Sequence, residues 1–115
     1  MGMTSDYAAK EPSRDEVDAL PGPTLLEFGN AWCGHCTTAQ RLIKGAFEGH
    51  ERVRHIKISD GSGRRLGRSF RVKLWPTLVF LRDGHEVARV VRPQEGHEIA
   101  IALAQIDSPT REQRP

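Results

Sequence analysis

The two cysteines of this 115-residue chain stand three positions apart, in Trp32-Cys33-Gly34-His35-Cys36. A disulfide across so short a loop would constrain the unfolded chain little, so stapling is a poor reason for the pair. Redox chemistry and metal binding remain. A structural zinc site needs four ligands, usually in recognisable spaced pairs. The chain has no second cysteine pair, and His50, His55, His85 and His97 form no spaced ligand pair. Thiol chemistry is therefore the stronger reading, and those four histidines read as ordinary surface or strand residues.

The neighbouring elements say what that chemistry would be. Thr24-Leu25-Leu26-Glu27-Phe28 is a short apolar run of the buried-strand kind, interrupted by one acid. After Cys33, Ala39, Leu42, Ile43, Ala46 and Phe47 recur at helical spacing, and Gly49 is a C-terminal stop. The pair therefore sits where a strand hands over to a helix. A helix N-terminus offers unpaired N–H groups and partial positive charge, both of which favour a thiolate. Cys33, at the mouth, is expected to attack, and Cys36, one turn inward, to resolve the mixed disulfide. Gly34-His35 between them tunes the couple: an imidazole that can be cationic near neutral pH stabilises the Cys33 thiolate and makes the disulfide more oxidising.

The rest of the chain supplies a frame. Ser13 and Glu16 fit a capping box opening a helix to Leu20, which Pro21-Gly22-Pro23 stops. Val53 to Ile58 reads as a second strand, Leu66 and Phe70 as the edge of a short helix, and Thr77 to Leu81 as the most strand-like run. Asp83-Gly84 signals a hairpin returning over Val87 to Val91, and Ile99, Ala102, Leu103 and Ile106 mark a last amphipathic helix. A helical crossover makes the first two strands parallel, and the hairpin adds antiparallel strands. The expected fold is α/β, a central mixed sheet flanked by helices on both faces. Residues 13–106 would form one domain between a flexible N-terminal segment, 1–12, and a flexible tail, 107–115.

Composition narrows the function. A net charge of +2 is too small to imply a nucleic-acid partner, and no apolar run reaches membrane-span length. The first twenty residues lack an apolar signal core, and Met1-Gly2-Met3 reads as two residues ahead of a start at Met3, so the expected compartment is the cytoplasm. Arg64, Arg68 and Arg71 share one helix face, read first as solvated and second as a dock for an acidic partner.

Trp-Cys-Gly-His-Cys after a strand resembles the active-site motif of the thioredoxin superfamily, and the likeness runs over about residues 13–106. Trp75-Pro76-Thr77 is similar to the family's cis-proline loop, and Arg82-Asp83-Gly84 to its hairpin turn. The resemblance implies that Glu27 is the buried acid relaying protons to Cys36, that Lys57 partners it, and that Trp32, Trp75, Pro76 and Thr77 contact substrate. It also implies a monomer that needs no cofactor beyond the Cys33–Cys36 disulfide. Its partners would be protein or small-thiol substrates and an electron donor or acceptor that the sequence does not name. Four features depart from the pattern: Gly-His replaces the Gly-Pro of thioredoxins proper, as in protein disulfide isomerases, and the acid is Glu rather than Asp. Gly29 stands where a Trp is common, and Arg92 where a groove glycine is. The function expected is a cytosolic disulfide reductant. The alternatives are an oxidase or isomerase, and a binding or chaperone module whose cysteines do not turn over.

Overall fold

Each apolar strand run sends alternate side chains to opposite faces, so two layers of helix are needed to cover it. The computed structural model of the chain, which describes residues 2–107, supplies both. The elements are α1 (Arg14–Asp18), β1 (Pro23–Gly29), α2 (Gly34–Ala46), β2 (Arg54–Ser59), α3 (Arg65–Ser69), β3 (Thr77–Arg82), β4 (His85–Val91) and α4 (Gly96–Ile106). The strands lie in the order β2-β1-β3-β4, with β1 parallel to β2 and β3 antiparallel to both β1 and β4. The fold is thus a mixed sheet between helices. On one face Leu25, Leu78 and Phe80 pack with Ala39 and Ile43 of α2 and with Ile99, Leu103 and Ile106 of α4. On the other, Leu26, Phe28, Ile58, Val79 and Leu81 pack with Val17 of α1 and with Leu66 and Phe70 around α3. Each such side chain contributes roughly 1.5–3 kcal/mol, a gain that a buried polar group reverses unless it is hydrogen-bonded. Glu27 sits on the α2 face, and that condition governs its surroundings.

Local signals are met closely. Ser13 and Glu16 form both halves of the capping box, although α1 closes at Asp18 rather than Leu20. Asp83 and Gly84 both have positive φ, 50° and 81°, as a tight hairpin between right-twisted strands requires. The segment before α1 differs from the loose stretch the sequence predicts. Gly2 and Tyr7 bridge in parallel to Arg54 and Lys57, and the Ala8 N–H donates to the Lys57 carbonyl at 2.8 Å. Glu11 Oε2 accepts the N–H groups of Arg65 and Leu66, at the first turn of α3. The segment from Gly2 to Ala8 therefore lines the outer edge of β2, and Glu11 ties it to α3. The tail expected over 107–115 lies, beyond Asp107, outside the described residues; Asp107 itself accepts from Arg52 and pairs with His50.

Candidate active site

The loop that presents the cysteines is shaped by Asn30. Its side-chain oxygen accepts the Trp32 N–H at 2.9 Å and its carbonyl accepts the Cys33 N–H at 3.3 Å, a turn of the Asx type. Sequence reasoning misses Asn30, although an Asn just past a strand end is a turn signal. The turn leaves Cys33 in extended backbone as the N-cap of α2, where its Sγ accepts the Cys36 N–H at 3.1 Å. A helix start has four N–H groups without intrahelical partners, and a cap side chain that accepts one of them is favoured when negatively charged. Cys33 is partly exposed, whereas Cys36 is 2% exposed. Burial pushes the Cys36 thiol up to about 12, and the Cys33 hydrogen bond, with the charges of Cys33 and Glu27, adds to the rise. The two thiols are both free, so this is the dithiol form.

Gly29, last residue of β1, makes room for the inner thiol. A Cβ there would lie 2.5 Å from Cys36 Sγ and 3.6 Å from the Tyr7 hydroxyl. Any side chain at this position would require Cys36 Sγ to shift, so the glycine suits the thiol where it stands. Tyr7 comes from the N-terminal segment. Its hydroxyl is raised to about 12, chiefly by burial and then by the charges of Cys36, Glu27 and Cys33. No periodicity in residues 1–12 points to it.

Beneath the cysteines, Glu27 is fully buried and accepts two hydrogen bonds. Gln40 Nε2 donates to its Oε2 at 2.7 Å, and His55 Nε2 lies 2.8 Å from its Oε1. The Thr4 N–H donates to His55 Nδ1 at 3.0 Å, which assigns the ring proton to Nε2 and makes His55 a donor to Glu27. Lys57 corrects the expectation that it partners the acid. Its Nζ donates instead to Gln40 Oε1 at 3.2 Å and to the Ser5 carbonyl at 3.3 Å, and it lies 4.5 Å from the Tyr7 ring centroid. Gln40 carries the link from Lys57 to Glu27 and also donates to the Cys36 carbonyl at 3.0 Å. His55 is likewise not an ordinary strand residue: its side chain is fully buried. The parallel register explains both, since Glu27 is level with Lys57 and the side chains of residues 55 and 57 point to one face.

The β1–β3 register sets Thr77 opposite Phe28, which brings Pro76 level with Gly29, where the cysteine loop begins. The Trp75–Pro76 bond is cis. Thr77 is buried and its hydroxyl donates to the Leu74 carbonyl at 2.6 Å, while Trp75 Nε1 donates to Asp60 Oδ2 at 2.9 Å. A loop that pairs with extended substrate is expected to leave the Trp75 backbone open. Its carbonyl instead accepts Arg92 Nε at 2.8 Å. Trp32 is 93% exposed beside Cys33, and Gly34 and His35 lie open on the first turn of α2. Among the described residues no cluster of three His, Cys, Asp or Glu could hold a metal, and no helix is long and apolar enough to cross a membrane.

The thioredoxin family model matches residues 7–105. Reduced thioredoxin 2 of Pseudomonas aeruginosa PAO1 superposes with a TM-score of 0.80 at 57% identity, over 90% of this chain and 96% of that one. Thioredoxin of Echinococcus granulosus is 26% identical over 81% of this chain and 90% of its own length. The TPR repeat-containing thioredoxin TDX of Arabidopsis thaliana is 30% identical over 81% of this chain, which spans only 24% of that longer protein. A thiol that caps α2 beside a buried one, a cis-proline level with the start of their loop and a match that spans the whole sheet agree, and the chain belongs to the thioredoxin family of thiol–disulfide oxidoreductases.

Proposed function

We propose that the protein reduces disulfides in other proteins, with Cys33 attacking and Cys36 resolving. The Cys33 thiolate forms a bond to one substrate sulfur as the substrate S–S bond breaks, and the departing thiolate takes a proton. Cys36 then loses its proton, with Glu27 as acceptor, and attacks Cys33 Sγ. The second substrate thiolate leaves and is protonated, so the substrate has gained two electrons and two protons while Cys33–Cys36 has become a disulfide. Lys57 acts on Glu27 through Gln40. Trp32 and the Trp75-Pro76 loop hold the substrate chain, with buried Thr77 bracing that loop from beneath, and a separate thiol reductant, in the cytoplasm, restores the dithiol. The carrying observation is the asymmetry of the pair: a partly exposed Cys33 whose Sγ accepts the Cys36 N–H as the cap of α2, beside a Cys36 that is 2% exposed.

The test is turnover of insulin disulfides with dithiothreitol as donor. Wild type should accelerate reduction well beyond dithiothreitol alone, and Cys33→Ser should not. Equal rates with and without the protein would favour a binding module. The oxidase or isomerase reading draws on His35 and is separated by the reduction potential: about −270 mV is typical of a thioredoxin and about −180 mV of a disulfide isomerase.

A further inference from the structure

Beside the cysteines, α2 and the loop between β4 and α4 enclose a groove of about 590 Å³ lined by His35, Thr38, Arg41, Leu42, Arg92, Pro93 and Gln94. That volume accommodates several side chains of a bound polypeptide. Its charged groups have one sign. Arg41 and Arg92 are both exposed, and among the described residues neither forms an ion pair. The acids that follow in sequence are committed elsewhere. Glu95 pairs with His97 Nδ1 at 2.9 Å, and Glu98 Oε2 accepts the N–H groups of Gln94 and Glu95.

Arg92 is held in an unusual way. Its φ is +49°, the left-handed region that side chains other than glycine enter at a cost of about 1–2 kcal/mol. Two contacts retain it there: its N–H donates to the Pro76 carbonyl at 2.9 Å and its Nε to the Trp75 carbonyl at 2.8 Å. The guanidinium therefore spans the acceptor of the cis-proline loop and the groove, and its Nη groups have no partner among the described residues. A strand that approaches the Trp75 carbonyl meets a cation already bonded there, and a substrate carboxylate at that point can pair with the remaining Nη donors of the guanidinium.

We propose that this groove selects substrates whose scissile disulfide is flanked by acidic residues, with Arg92 and Arg41 pairing to substrate carboxylates while Cys33 attacks. The inference deepens the disulfide-reductase reading and rests on it. Exposed ion pairs are individually weak and salt-screened, so the expected selectivity is about fivefold, not absolute.

The experiment uses two cystine peptides identical except that four residues flanking the disulfide are Glu in one and Gln in the other. The readout is the ratio of kcat/KM for the two, which cancels any general loss of activity. Wild type should favour the Glu peptide by about fivefold at low ionic strength, falling toward parity in about 0.5 M salt. The ratio should collapse in Arg92→Gln and fall in Arg41→Gln. Turnover of both peptides at a ratio near one, or a ratio unchanged in both variants, overturns the groove assignment alone. No turnover of either peptide overturns the exchange reading beneath it.

Discussion

Glu27→Gln is the sharpest probe of the buried chain beneath the cysteines, because every hydrogen bond there has a direction. The Thr4 N–H donates to His55, His55 donates to Glu27, Lys57 donates to Gln40, and Gln40 donates to Glu27. Both arms end on Glu27 as donors, so the middle must be an acceptor on both sides. A carboxylate is, and an amide is not. Whichever way the substituted amide is turned, its NH₂ faces a donor. Gln40 cannot flip to help without turning its own NH₂ toward the Lys57 ammonium. One buried donor left opposed costs about 1–3 kcal/mol, and losing the charge weakens the surviving bond further. Relief of the buried carboxylate's desolvation returns part of this, so about 2 kcal/mol of destabilisation is expected, roughly 10 °C in Tm. The double variant Glu27→Gln/Gln40→Glu restores the polarity. The amide on β1 then accepts from His55 and donates to the carboxylate on α2, which accepts from Lys57. The exchange loses the side-chain bond to the Cys36 carbonyl and turns a carboxylate oxygen toward that acceptor, so it should recover part of the loss and not all of it. Guanidinium unfolding of the reduced proteins decides the matter. A single variant within about 0.5 kcal/mol of wild type, or a double variant no better than the single one, would refute the directional chain.

Three further outcomes follow from the same geometry. Burial pushes the folded Cys36 thiol up to about 12 from an ordinary value of 9.0, so the proton is held more tightly when folded; stability is full below about pH 9 and falls toward pH 12, by up to about 1.4 kcal/mol per unit, and urea titrations should show that Cys36→Ser flattens this alkaline slope. Gly29→Ala places a Cβ 2.5 Å from Cys36 Sγ, so it should cost about 1–3 kcal/mol in denaturant melts and slow closure of the Cys33–Cys36 disulfide in stopped flow; wild-type values for both would show that the pocket yields. His35→Pro, in the first helical turn where a missing N–H is tolerated, should make the reduction potential more negative by about 30 mV, worth about 1.4 kcal/mol, in a glutathione-buffered titration; no change would remove His35 as the tuning group.

The sheet is legible in the sequence because Leu25, Leu26 and Phe28, then Leu78 to Leu81, alternate between two cores with hardly a polar interruption. The cysteine pair is legible because its chemistry is tied to a strand-to-helix junction. Two things are hidden, for one physical reason: both depend on partners remote in sequence. The N-terminal segment pairs with β2 through backbone groups and a few side chains, which leaves no apolar rhythm to read. His55 gives a surface-like signal, yet strand register places it against Glu27, and Thr4, 51 residues away, settles which nitrogen donates. Lys57 reads as the acid's direct partner because the intervening amide, Gln40, lies on a different element. The clasp of Arg92 on Trp75 is equally out of reach, since it depends on a backbone angle that nothing in the sequence around Arg92 demands.

The central claim is that the partly exposed thiol that caps α2 attacks and the buried thiol resolves. Incubating oxidised insulin with Cys36→Ser and with Cys33→Ser, quenching in acid and mapping the adducts by mass spectrometry tests it most directly. Cys36→Ser should accumulate a mixed disulfide at Cys33, and Cys33→Ser should accumulate almost none. Trapping that runs mainly through Cys36 would contradict the assignment.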